Sequence, residues 1–163
     1  MKRALISVYN KTNLNKLVPF LEKRDYLIYS TGGTYNHVSE LIKDKKKLNN
    51  INEAFDISEQ CDGRVKTLHP GIFSGILDKN NPFFNLVVVN LYPFLETPEI
   101  ETIDIGGYSL IRSSIKNHKL VTVLTDPSNY FTYINNIDYC NENYENYGNS
   151  GNGGNGEHLK LTI

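Results

Sequence analysis

Several short strings bring together residue types that bind anions or move protons. Ser30-Thr31-Gly32-Gly33-Thr34 sets hydroxyls beside two glycines. Glycine lets the backbone approach an anion closely, a hydroxyl donates to it, and a helix start behind such a loop adds unpaired N–H groups. The string suits a phosphate. It is equally a glycine-rich turn in which Thr34 caps the next helix. Lys11, within Tyr9-Asn10-Lys11-Thr12, supplies a point charge, although a turn lysine is more often simply solvated. Cys61-Asp62-Gly63-Arg64-Val65-Lys66-Thr67-Leu68-His69-Pro70 packs arginine, lysine, threonine and histidine closely. In an extended segment Arg64 and Lys66 point the same way. A solvated basic loop is the competing account, against which Gly63 and Pro70 fix the path of the chain.

Two further places carry a titratable group in an unusual setting. Glu101-Thr102-Ile103-Asp104-Ile105-Gly106-Gly107 puts Asp104 between two isoleucines just before a helix. Apolar neighbours would raise its pKa and a lysine would hold it ionised, but such an aspartate also serves as a helix cap. Lys116-Asn117-His118 closes that helix, where positive charge complements the helix dipole.

The elements that must position these residues follow from hydrophobic periodicity. Residues 4–8 form a short apolar run typical of a strand buried on both faces. Residues 14–24 place Leu14, Leu17, Val18 and Leu21 at helical spacing, with Thr12 or Asn13 placed to cap. A strand at 26–29 and a helix at 35–42 follow. Lys45-Lys46-Lys47 reads as a solvated connection. Leu86-Val87-Val88-Val89 is the strongest strand and belongs at the centre of a sheet. A helix at 108–117, a strand at 121–124 and a weaker helix at 128–137 complete the pattern. This alternation predicts an α/β fold with a mainly parallel sheet covered on both faces. In such a sheet ligands bind beyond the carboxyl ends of the strands, so the loops after each strand converge on one rim.

With 163 residues the chain is sized for one domain. We read residues 1–140 as that domain. Residues 141–163, rich in asparagine and glycine, carry too little aliphatic material to offset the entropy of ordering and are expected to be disordered. Lysine and arginine number 17 against 18 aspartates and glutamates, which gives no global attraction to nucleic acid or to a membrane surface. Cys61 and Cys140 sit in no metal-binding or disulfide pattern. The short apolar run behind Met1 is neither a signal-peptide core nor a membrane span. A cytoplasmic protein is expected.

Taken in order, the strings Leu5-Ile6-Ser7-Val8, Ser30 to Thr34, Gly63 to Pro70, Asn90-Leu91-Tyr92-Pro93-Phe94, Ile103 to Gly107 and Lys116-Asn117-His118 resemble the IMP cyclohydrolase domain of the bifunctional purine biosynthesis proteins. The Gly-Arg-Val-Lys-Thr-Leu-His-Pro and Asn-Leu-Tyr-Pro-Phe strings are the most specific. The resemblance implies a methylglyoxal synthase-like three-layer sandwich. It implies that Lys11, Thr31, Gly32, Gly33, Thr34, Arg64 and Thr67 surround the phosphate and ribose of a nucleotide, with Tyr9, Asn10 and Val65 in the same binding set. Asn90 and Ile105 would flank the base, and Lys66, Tyr92, Asp104 and Lys116 match catalytic positions. No metal or redox cofactor is implied. Tyr9-Asn10 stands where the family usually has serine-aspartate. These 163 residues hold no counterpart of the family's transformylase domain, and the last helices of its usual cyclohydrolase domain are expected to be missing.

The implied reaction is dehydrative closure of 5-formamidoimidazole-4-carboxamide ribotide to IMP by a monofunctional homodimer, fed by a separate AICAR transformylase. One geometric demand is severe: if residues 108–116 are helical, Lys116 lies roughly 12 Å along the axis from the helix start. Two alternatives stay open. One is a regulatory module or inactive relative that binds purine nucleotide without turnover; the other is a methylglyoxal synthase-like lyase acting on a triose phosphate.

Overall fold

Leu86-Val87-Val88-Val89 has no polar face, and all four side chains are fully buried. They form β4 (Leu86–Asn90), which pairs with β1 (Arg3–Val8) on one side and β5 (Thr122–Leu124) on the other. The computed structural model describes residues 1–57 and 66–147. With β2 (Leu27–Ser30) and β3 (Leu48–Asn50), the strands make one sheet in the order β3-β2-β1-β4-β5, and every pairing is parallel. Numbering runs outward from β1 in one direction and outward from β4 in the other, so the switch point lies between them.

Side-chain alternation divides the core between the two faces. Ala4, Ile6 and Val8 of β1 and Leu86 and Val88 of β4 meet α1 (Leu14–Lys23), α2 (Gly32–Leu41) and α6 (Asn129–Tyr147). Leu5, Val87 and Val89 face the other way, against α3 (Ile51–Ala54), α4 (Pro70–Leu77) and α5 (Gly106–Lys116). This is the three-layer α/β sandwich that the alternation predicts.

The structure moves some boundaries. Helices α2 and α5 begin at Gly32 and Gly106, earlier than the expected starts at 35 and 108. A first-turn N–H has no intrahelical partner, so glycine is tolerated there and leaves that N–H open to a ligand. Strand β3 was hidden because only Leu48 of its three residues is buried and the others are asparagines. Helix α4 rises from a segment that reads as loop: Pro70 takes the first helical position, and His69 Nδ1 accepts from Gly71 N at 3.1 Å. The expected domain boundary at residue 140 falls inside α6, which continues to Tyr147 because no glycine or proline interrupts residues 129–147. Residues 148–163 lie outside the described residues. No helix among the described residues is long and apolar enough to cross a membrane.

Phenols line the seam between α6 and the rest of the first core half. Tyr26 and Tyr133 are buried with their hydroxyls 3.2 Å apart, and Tyr130 is fully buried beside them in the same cluster. Burial raises all three pKa values, that of Tyr130 to about 12 from an ordinary value of 10.0. An acid whose folded pKa is raised contributes stability that is complete below its unfolded pKa and is lost as pH climbs towards its folded one. Stability should therefore hold up to about pH 10 and fall progressively towards about pH 12. Circular dichroism and tyrosinate absorbance followed together should show unfolding and phenol ionisation in the same window; ionisation of every tyrosine without unfolding would contradict this.

Candidate active site

The loops that follow β1, β2 and β4 meet at the carboxyl rim of the sheet, as the parallel topology requires. Between them lies a cleft of about 270 Å³. Thr31, Gly32, Gly33 and Thr34 line it from the start of α2, and Ser7, Val8, Tyr9 and Lys11 from β1 and its loop. Asn90 comes from the end of β4 and Tyr92 from the loop after it, Lys66, Thr67 and Leu68 from the segment before α4, and Asp104, Gly106 and Gly107 from the entrance to α5. Two helix N-termini thus open on one cleft.

At the β2 side, Gly32 has φ +43°, a left-handed conformation that glycine adopts freely. A Cβ added at Gly33 would meet nothing within 4 Å, so the backbone there is open to close approach. Thr34 does not cap α2. Its hydroxyl donates to Val8 O at 2.9 Å and lies 3.3 Å from Val8 N, tying the helix start to β1. Thr31 Oγ1 lies 3.5 Å from Ser7 Oγ. Ser30 Oγ donates to Ile6 O at 2.7 Å, which fixes β2 against β1 just below the loop.

At the switch point the Asn90 side chain does the joining. Its Oδ1 accepts from Tyr9 N and from Asn10 N, both at 2.8 Å, and its Nδ2 donates to Asn10 O at 2.8 Å. Asn90 lines the cleft while its amide is committed to the backbone of the neighbouring loop. Lys11 Nζ donates to Tyr9 O at 3.2 Å and stays on the same loop. Asn10 lies outside the cleft proper and lines an adjoining one of about 640 Å³, together with Glu96, Thr125 and Asp126.

The α5 side is interlocked. Asp104 Oδ1 accepts from Gly107 N at 2.6 Å, so the carboxylate holds the helix entrance as an alternative reading of the sequence allowed. A Cβ on Gly107 would come within 2.9 Å of both Asp104 oxygens, and one on Gly106 within 2.8 Å of Thr67 Oγ1. Both glycines permit contacts that a larger residue would displace. They and Ser7 line the cleft although they were not singled out as site residues; a glycine pair opening a helix was the available signal.

Lys66, Tyr92 and Asp104 thus share one cleft, and the structure does not bring Lys116 to it. Lys116 sits on the last turn of α5, beside a separate depression lined by Leu77, Arg112, Ser113 and Ile115. Ten residues of helical rise from the start of α5 at Gly106 separate it from the Asp104 end. Asn117 Nδ2 donates to Ile76 O at 2.7 Å and to Asp78 O at 2.8 Å, so that end of α5 is occupied in bracing α4. Ile105 is 63% exposed and does not line the cleft. Arg64 and Val65 lie outside the described residues. Among the described residues, no group of three or more His, Cys, Asp and Glu side chains is placed to hold a metal ion.

Sheet order, layers and the rim cleft define an α/β protein of the methylglyoxal synthase-like fold. The crystal structure of ForH matches it with a TM-score of 0.72, over 86% of this chain and 80% of that one, at 24% identity, a likeness of fold. No protein-family model matches the chain. The chain is 44% identical to the bifunctional purine biosynthesis protein PurH of Clostridium botulinum (strain Loch Maree / Type A3), over 87% of its own length and 32% of the relative's. It is 44% identical to PurH of Leptospira biflexa serovar Patoc (strain Patoc 1 / Ames), over 83% and 30%. Over that span it is related to the bifunctional purine biosynthesis proteins, and it covers about a third of their length.

Asn90→Ala removes the acceptor for two backbone N–H groups and the donor for one carbonyl. Each net hydrogen bond is worth about 0.5–1.5 kcal/mol. Hydrogen exchange at the Tyr9 and Asn10 amides should accelerate about tenfold or more, while amides in the middle of β4 keep their protection. Unchanged exchange at both amides would remove the bracing role.

Proposed function

We propose that this chain closes the purine ring, converting 5-formamidoimidazole-4-carboxamide ribotide to IMP with release of water. The observation that carries this reading is that Lys66, Tyr92 and Asp104 line the cleft that also holds Thr31, Gly32 and Gly33. Relatives named for purine biosynthesis, at 44% identity, support a role in that synthesis. Ring closure is the step that a cleft with an anion-suited end and an ammonium–carboxylate end is fitted to perform.

In this reading the ribotide phosphate lies against the start of α2, where open N–H groups and the helix dipole favour negative charge. Lys11 and Thr67 flank it and the ribose. The heterocycle then extends towards Lys66, Tyr92 and Asp104. Both reacting groups sit on one imidazole ring, so the enzyme has mainly to hold the reactive rotamer and stabilise charge.

The carboxamide nitrogen forms a bond to the formyl carbon, and the formyl oxygen becomes anionic. The Lys66 ammonium stabilises that oxygen, with the Tyr92 hydroxyl as a second donor. Asp104 accepts one proton from the attacking nitrogen; a carboxylate has about four lone-pair sites, so the bond from Gly107 leaves room. That proton is returned to the oxygen. As the formamido nitrogen gives up its own proton to this hydroxyl, a C=N bond forms to the formyl carbon and the oxygen departs as water. Lys116 has no step in this scheme.

The same reading takes the chain as a cytoplasmic homodimer supplied by a separate transformylase. Support for self-association comes from the segment between β4 and α5, where Leu95, Ile100, Ile103 and Ile105 are each more than half exposed among acidic neighbours, apolar area that a second copy would cover. Sedimentation equilibrium should give a dimer, and a monomer at all concentrations would remove this part. The placement of Lys116 outside the cleft favours a second reading, a module that binds purine nucleotide without turnover.

Incubation with the formylated ribotide, followed by absorbance, should show IMP appearing. Lys66→Ala should lower the rate by about 10²–10³, the scale of losing one preorganised donor to an oxyanion. IMP binding without product formation would establish the binding module instead, and a full rate in Lys66→Ala would remove the role given to that lysine.

A further inference from the structure

The proposed reading gives the Tyr9 side chain of the cleft no task. Tyr9 is 53% exposed although it is a large aromatic residue on a loop braced at both of its first two backbone N–H groups. Its ring centroid lies 5.3 Å from that of Tyr92, with the planes at 62°. That is an edge-to-face pair, the arrangement favoured by the ring quadrupoles. Tyr9 lines both the rim cleft and the adjoining one, whereas Tyr92 lines only the first. Tyr9 thus borders both clefts, as Lys11 and Asn90 do, and its ring is placed by its contact with Tyr92, just beyond β4.

We propose that Tyr9 sets specificity for the heterocycle: its ring walls the base end of the cleft and holds Tyr92 in place, without taking part in phosphate binding. The inference rests on the nucleotide reading above. Three observations converge on it. The loop is immobilised by the Asn90 amide and by Lys11, so the ring is presented from a rigid base. An exposed ring beside a polar cleft offers a π-face, which recognises any flat heterocycle and gives nothing to a phosphate. The contact with Tyr92 reaches a residue assigned to the reaction, so loss of the Tyr9 ring releases that phenol as well as removing the wall.

The test compares two probes, IMP and ribose 5-phosphate, on the full chain and on Tyr9→Ser and Tyr9→Phe, by titration calorimetry. Tyr9→Ser should weaken IMP about tenfold, the loss of one aromatic contact, and leave ribose 5-phosphate unchanged. Tyr9→Phe keeps the ring and should restore IMP affinity. In a Tyr92→Ala background the same serine substitution should cost less than it does alone, because part of its effect passes through Tyr92. Equal weakening of both probes would show a collapsed loop and overturn the inference, as would undiminished IMP binding by Tyr9→Ser. The expected pattern in a chain that never forms IMP from the formylated ribotide would sustain this role and overturn ring closure alone. A wild-type chain that binds neither probe overturns both.

Discussion

The Asn90 carboxamide bonds to Tyr9 N, Asn10 N and Asn10 O across the boundary between β1 and β4. This is the point where a doubly wound sheet is open, because successive connections leave it in opposite directions. The strands supply backbone pairing only as far as Val8 and Asn90; beyond them the loops would separate unless a side chain joined them. Asparagine suits the position because one planar group carries both an acceptor and donors. Once the first loop is fixed, the positions of Tyr9 and Lys11 relative to Tyr92 follow.

Helix starts shape the rest of the cleft, and each is held by a different device. At α2 the Thr34 hydroxyl bonds to Val8, so helix and strand move as one body. At α5 the Asp104 carboxylate grips Gly107 N while Gly106 lies close against Thr67. The segment carrying Lys66 is thereby seated between a helix entrance and α4, whose own start is capped by His69. A histidine in a basic motif invites a chemical role, and the structure gives it a capping one.

Much of this was legible in sequence because a buried parallel strand has little freedom in composition. The run 86–89 could hardly be anything else, and the apolar spacing of Leu14, Leu17, Val18 and Leu21 predicted the buried face of α1 correctly. Motif order predicted that Lys66, Tyr92 and Asp104 meet, although no local pattern links residues this distant. What escaped was of two kinds. Edge strand β3 and helix α4 carry polar or glycine-containing sequences whose state depends on tertiary packing. Side-chain commitments such as those of Asn90, Thr34 and Asn117 depend on which backbone groups lie nearby, which composition does not reveal. Lys116 shows the same limit, since motif order does not reveal that helix geometry sets this residue beside a separate depression.

The brace between Asn90 and Asn10 spans 80 positions of sequence. Contacts of that separation are slow to form, because the intervening chain must surrender its entropy before the contact returns anything. Helix α1 and the β1–β2 pairing need only local chain, whereas the cleft requires β4 to be threaded into the middle of the sheet. A chain emerging from the ribosome therefore owns half of its framework well before it owns a place to hold a ligand, and any ligand of the cleft acts as a late-stage clamp on the completed sheet.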